Sequence, residues 1–255
     1  MTIPASVNDL LRPEPKRDRW GRYLVAGPNG GKAKGYTRVT TLAKTCSDTY
    51  GLTEWAKRIV AVGVAKRPDL IAEAANLTAD DKGPLREIVA AAEEVGGANE
   101  RRRLGTALHK ILEIIDQGGD AHVPGDLAPH VTAYQQALDD AGVQILREHT
   151  EQVVIHDGHQ YAGTGDRIVT LPGFDLPLIA DLKTGKDPLS YGAGEISIQL
   201  ACYAHAQHTY DYATEQRGPM PTVDQTHGLV IHLSARPEGA AECTLHLVEL
   251  QPGWE

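Results

Sequence analysis

The chain is poor in cysteine, in net basic charge and in long apolar runs, and each shortage removes a class of protein. Its three cysteines, Cys46, Cys202 and Cys243, lie far apart and without CxxC spacing. They cannot supply four thiolates to a zinc ion or an iron–sulfur cluster, and they read as reduced, mostly buried thiols. No apolar run approaches the roughly 18 to 20 residues that cross a bilayer, and the first residues, with Pro4, Asn8 and Asp9, carry no apolar signal stretch. The expectation is a cytoplasmic protein without a membrane partner. A net charge of −9 argues against coating nucleic acid by basicity alone, because such binding works through counterion release from phosphates. Neither an internal repeat nor a low-complexity block interrupts the sequence.

What is present suffices for a core, since 255 residues with 41% hydrophobic content are enough to bury one. The charge is unevenly spread. Residues 1–60 hold eleven Lys and Arg, among them Arg12, Lys16, Arg17, Arg19, Arg22, Lys32, Lys34 and Arg38, against five Asp and Glu. This basic segment reads either as a solvated arm or as a phosphate-contacting one. A second cluster, Arg101, Arg102 and Arg103, stands directly before a helix that carries a histidine.

Residues 1–50 are expected to form a basic arm and a hairpin, with strands at Arg22–Val25 and Tyr36–Leu42, and residues 51–255 a single domain. The turn Gly27-Pro-Asn-Gly-Gly-Lys32 is not a phosphate loop. Ala26 stands where the first glycine should be, Ala33 where Ser or Thr should be, and the glycines join two strands rather than opening a helix. Ala-rich periodicity predicts helices around Trp55–Val64, Ala79–Val95 and Asn99–Gln117, and another over Leu127–Ala141 that stops at Gly142. Val-, Ile- and Leu-rich segments at Val143–His156, Gln160–Leu171 and Leu176–Leu182 read as an antiparallel meander. A helix from Ser190 to Glu215 and strands at Thr226–Leu233 and Ala241–Leu250 close the chain. The fold class is α+β, with a central mixed sheet flanked by helices.

Two carboxylates and a lysine stand on strands that should pair. If Pro172–Asp175 forms the turn, the residue opposite Asp166 is Asp181. Opposed side chains on antiparallel strands lie about 4.5 to 5.5 Å apart, where like charges repel and a cation removes the conflict. Side chains alternate along a strand, so Asp181 and Lys183 point one way and Leu182 the other. Hard oxygen donors with no cysteine suit Mg²⁺ or Mn²⁺, which can lower the pKa of a bound water and neutralise charge building on a phosphate. The ordinary alternative is a surface Asp–Lys pair. On the helix before the strands, His109 and Glu113 share a face; on the helix after them, Glu195, Gln199 and Tyr203 do. A zinc site built from His156 and His159, or from His205 and His208, is the weaker alternative, because each pair is ordinary for a surface.

The order Gly105-xxx-His109, Gly165-Asp166, Asp181-Leu-Lys183-Thr-Gly and Gln199-xxx-Tyr203 resembles the RecB-type branch of the PD-(D/E)XK nuclease superfamily over roughly residues 100–210. Thr37–Leu42 followed by Trp55 is loosely similar to the start of phage-type members. The resemblance implies a restriction-endonuclease-like core and a metal-dependent DNA nuclease, more an exonuclease than an endonuclease, leaving 5′-phosphates in recombination, replication or repair. It implies Asp166, Asp181, the Leu182 backbone carbonyl and His109 as ligands of Mg²⁺ or Mn²⁺, and Lys183 as the residue that positions and activates water. Gln199 and Tyr203 would brace the site and touch DNA, with Lys186 and the Arg101–Arg103 cluster as further contacts and Glu151 as an additional acidic candidate. The four cysteines that hold an iron–sulfur cluster in some relatives are missing, as is any helicase motif. A motor or recombinase would be a separate chain. The rival expectation is a non-catalytic DNA-binding or scaffolding module that keeps the fold.

Overall fold

The computed structural model describes residues 12–27, 30–185, 187–234 and 241–255. Contacts gather the chain into two compact units, one drawn from Met1–Ser47 and Leu108–Glu255, the other from Asp48–Ala107. Among the described residues no helix is long and apolar enough to cross a membrane.

In the larger unit, β1 (Tyr23–Val25) pairs antiparallel with β2 (Lys34–Arg38), and the chain then enters a short helix α1 (Val39–Ala43). The expected strand through Leu42 therefore ends at Arg38. Val39 is wholly buried beside Tyr161 and Tyr203, and this tertiary contact outweighs the β preference of the Val-Thr-Thr run. The smaller unit holds α2 (Tyr50–Lys66), α3 (Pro68–Ala74), α4 (Lys82–Gly96) and the start of α5 (Ala98–Asp116), with Leu70, Ile88 and Ala92 as its core. From Leu108 onward α5 belongs to the larger unit. Helix α6 (Ala128–Ala141) ends at Gly142 in the left-handed conformation, where the sequence predicts its stop.

After α6 come β3 (Gln144–Ile145), β4 (Gln152–His156), β5 (Tyr161–Gly165), β6 (Arg167–Thr170) and β7 (Leu178–Thr184). The expected single meander is divided between two sheets. β4 and β5 lie in a six-stranded sheet of order β1-β2-β5-β4-β8-β9, with β8 at His208–Asp211 and β9 at Gln216–Pro219, while β3, β6 and β7 lie in a five-stranded sheet of order β11-β10-β7-β6-β3, with β10 at His227–Ser234 and β11 at Glu242–Glu249. The break falls at Asp166 on one segment and near Glu151 on the other. Glu151 has φ 51°, a left-handed backbone that no strand interior accepts.

Helix α7 (Pro188–Ala204) is eleven residues shorter than its expected end at Glu215. The remainder forms a hairpin of β8 (His208–Asp211) and β9 (Gln216–Pro219), turned by the Asp211 side chain, which accepts the Ala213 N–H and the Thr214 hydroxyl. β10 (His227–Ser234) runs parallel to β7, and β11 (Glu242–Glu249) runs antiparallel to β10, before a last turn of helix α8 (Gln251–Trp254). The protein is thus α+β, and its five-stranded sheet is mixed. Ile179 and Val230 on one face of that sheet pack with Ile196 and Leu200 of α7. Arg167, on the other face, reaches Asp116 of α5 and Tyr134 of α6.

Candidate active site

β6 and β7 pair Arg167 with Ala180, Ile168 with Ile179 and Val169 with Leu178. One further step along this ladder sets Asp166 opposite Asp181, the register that counting outward from the turn predicts. Asp166 stands where the chain leaves β5 for β6. Its Oδ2 accepts the Leu182 N–H at 3.0 Å, and its carbonyl accepts the Glu151 N–H at 2.9 Å.

Asp181 and Lys183 face α7. Asp181 is only 2% exposed, and Lys183 Nζ lies 2.8 Å from its Oδ2. That contact is an ion pair without hydrogen-bond alignment, since Oδ2 is buried with no partner of hydrogen-bond geometry. Gln199 joins the two residues: its Nε2 donates to Asp181 Oδ1 at 2.7 Å and its Oε1 accepts from Lys183 at 3.1 Å. One helical turn on, the Tyr203 hydroxyl lies 3.4 Å from Gln199 Nε2. Gly163 makes room for Tyr203. A Cβ at position 163 would come within 2.5 Å of the Tyr203 ring and 3.0 Å of Val39, distances only glycine permits.

Behind Asp166, on the far face of the sheet, Arg167 is 1% exposed and donates from Nε to Asp116 at 2.6 Å, with its Nη1 3.8 Å from Asp166. Tyr134 donates its hydroxyl to the same Asp116 oxygen at 2.9 Å. Burial by itself would lower the Arg167 guanidinium, but Tyr134, Asp116 and Asp166 outweigh it and raise its pKa; burial raises the Asp116 carboxyl in spite of Arg167. Both shifts are upward, which favours the charged guanidinium and disfavours the charged carboxylate, because the attractions around Arg167 exceed its burial cost while those on Asp116 do not. With the contact at 2.6 Å, we take the pair as ionised.

A cavity of about 350 Å³ opens onto Asp166, and Glu113, Glu151, Gln199 and Tyr203 also line it. His109, on α5, places Nδ1 3.9 Å from Asp166 Oδ2. Burial, aided by the Arg167 charge, lowers the His109 pKa to about 4, so the ring is neutral near pH 7 and keeps a lone pair for a ligand. Burial pushes the Glu151 carboxyl up, and the charges of Asp166 and Glu113 push it further; burial and then Asp166 push Asp181 up, against Lys183. Burial would lower Lys183, yet Asp181, Asp166 and Glu195 outweigh it and keep the ammonium charged.

Asp166, Asp181, Leu182, Lys183, Gln199, Tyr203, His109 and Glu151 are therefore neighbours. The arginine cluster is different. Arg103 pairs with Glu94 at 2.8 Å and Arg102 with Asn99, both inside the smaller unit, and the Arg101 side chain lies outside the described residues, as does Lys186. Sequence reasoning gave no role to Arg167 or Asp116, because a charged residue beside a strand reads as solvated. Asp116 does follow His109 by seven residues on one helix face, which was the available signal.

Among the described residues no three His, Cys, Asp or Glu side chains close into a ready ligand cage. Protein donors occupy the acids instead: the Leu182 N–H on Asp166 and Lys183 with Gln199 on Asp181. The donor chemistry nonetheless fits a hard divalent ion. A carboxylate oxygen of Asp166 lies 3.9 Å from the neutral His109 imidazole, and the buried Asp181 Oδ2 has no aligned donor. No protein-family model matches the chain, and no curated protein matches it.

Proposed function

We propose that this chain is a Mg²⁺- or Mn²⁺-dependent DNA nuclease of the RecB-type PD-(D/E)XK kind. It would be a stand-alone exonuclease acting at DNA ends in recombination, replication or repair, and the five-stranded mixed sheet with its flanking helices would be the nuclease core. One observation carries the reading: a single step beyond the Arg167–Ala180 pair of the β6–β7 ladder sets Asp166 opposite Asp181, and Lys183 lies 2.8 Å from Asp181. Asp166, Asp181, the Leu182 carbonyl and His109 would hold the ion. When bound, it would acidify a water and offset charge on the phosphate being cleaved. Lys183, held charged by its acids, is the chain's own group for orienting that water or neutralising the phosphate. Gln199 fixes the Asp181 carboxylate and Lys183 relative to each other.

The test is digestion of end-labelled linear and covalently closed DNA with Mg²⁺, Mn²⁺ or chelator. Metal-dependent release of nucleotides from linear DNA, lost in Asp166→Ala and Lys183→Ala, is the expected result. Equal cleavage by those variants would defeat the site assignment. DNA binding that survives chelation, with no cleavage under any metal, would favour a non-catalytic binding module.

A further inference from the structure

An exposed aromatic stands on a hydrogen-bonded basic turn whose flanking residues Arg17 and Tyr23 line the cavity, and none of the residues proposed for catalysis accounts for it. The segment Asp18-Arg-Trp-Gly-Arg22 is a built turn. Asp18 Oδ1 accepts the N–H groups of both Trp20 and Arg22 at 2.9 Å, Asp18 Oδ2 pairs with Arg22 Nε at 2.7 Å, and the Asp18 carbonyl accepts the Gly21 N–H. Gly21 has φ 77°, which a larger residue would resist. The result of this local order is to hold Trp20 in solvent, 65% exposed. The Arg19 and Arg22 guanidiniums lie over its ring, 4.0 and 4.9 Å from the centroid, so a stacking base would take the place of one of them.

The turn is joined to the cavity. Arg17 reaches the Gly21 carbonyl and lies 4.1 Å over Tyr23, whose hydroxyl meets Thr164 Oγ1 at 2.9 Å, two residues before Asp166. Arg17, Tyr23, Arg38 and Thr164 all line the cavity that opens onto Asp166. Residues 12–23 carry five Lys and Arg against two acids, in a chain whose net charge is −9.

A single exposed tryptophan is ordinary. One fixed on a tight turn, flanked by guanidiniums and by Arg17 and Tyr23 that line an acid-bearing cavity, matches the way unpaired bases are held, by stacking on an aromatic face beside cations that track the phosphates. We infer that the Arg19–Arg22 turn is a stacking platform for an unpaired base of a single DNA strand that leads to the Asp166–Asp181 site. This rests on the proposed nuclease function and adds to it the strand state of the substrate, because a base inside a duplex offers no free face to Trp20.

The test uses the full chain in chelator, so that no strand is cut, with fluorescein-labelled 20-residue oligothymidylate and a duplex of equal length. Wild-type protein should bind the single strand more tightly. Trp20→Ala should weaken that binding roughly five- to hundredfold, the range for losing one base stack, whereas Trp20→Phe should keep most of it. An unchanged melting temperature for Trp20→Ala checks its fold. If wild type and Trp20→Ala bind the single strand equally well, the platform is refuted and the nuclease reading stands. If wild type binds neither DNA, both fall.

Discussion

The Gln199 carboxamide spans Asp181 and Lys183, giving a hydrogen bond to the acid at 2.7 Å and taking one from the amine at 3.1 Å. The helix after the sheet therefore sets the spacing of two groups on β7. Gln199→Leu keeps the volume and removes both bonds. It leaves a buried carboxylate oxygen unpaired, at a cost of about 1–3 kcal/mol in stability. Loss of such an orienting partner should lower cleavage by about ten- to hundredfold. Steady-state digestion with a urea melt checks both, and a variant that cleaves at the wild-type rate would show that the bridge is idle.

Asp181 is penalised in the folded chain, because burial and the Asp166 charge both act against its ionised form. Asp181→Asn removes that charge and keeps the shape. In chelator this variant should melt at or above the wild-type temperature. Adding Mn²⁺ should raise the wild-type midpoint, by about 2.7 kcal/mol of stabilisation at a hundred times the dissociation constant, and leave Asp181→Asn unmoved. Equal metal-induced shifts in the two proteins would remove Asp181 from the ligand set.

Gly163 sits in β5 because Tyr203 and Val39 press on its α-carbon. Gly163→Ala forces a methyl into a gap that closes at 2.5 Å, so the Tyr203 ring, α1 or the strand must shift. Overpacking of this kind costs about 1–3 kcal/mol. The displaced Tyr203 should also loosen its approach to Gln199 and reduce cleavage at a temperature where the variant remains folded. Gly165→Ala provides the contrast, since its Cβ would meet nothing nearer than 3.8 Å. If the two variants are equally stable and equally active, the close contact is not a constraint.

The β6–β7 register was open to counting because a side-chain period of two and a four-residue turn leave no freedom once the turn is placed. Helices with strong periodicity were legible for a similar reason, and α6 starts and stops within a residue of its pattern. Three features were hidden. The change of sheet at Asp166 falls where its carbonyl meets the N–H of Glu151, a positive-φ residue whose side chain gives no hint of that backbone. The β8–β9 hairpin is cued by Asp211 and alternating His208-Thr-Tyr210, a signal overrun by the helical pattern before it. Arg167 was invisible because its burial is compensated chiefly by Asp116 and Tyr134, which are 51 and 33 positions away in the chain.

His156 provides a test away from the acids. Its ring packs among His159, Tyr161 and Trp254, at centroid distances of 4.5, 5.1 and 6.2 Å, and Trp254 stacks on His205 at 4.0 Å. Three of the four histidines weighed as zinc ligands, His156, His159 and His205, thus meet in one aromatic cluster, whereas His208 lies beside Asp157. Burial lowers the His156 pKa, His159 and His205 lower it further, and Asp157 opposes them. An unfolded histidine takes its proton near pH 6.5, whereas folded His156 resists it. Stability from this group is therefore fully present above about pH 6.5 and is lost as pH falls through the lowered folded value. Urea midpoints taken between pH 7.5 and 5.5 should fall with acid in the wild type and fall less in His156→Gln, with Trp254 fluorescence reporting the cluster. Parallel pH profiles for the two proteins would mean that His156 titrates no differently in the folded chain than in the unfolded one.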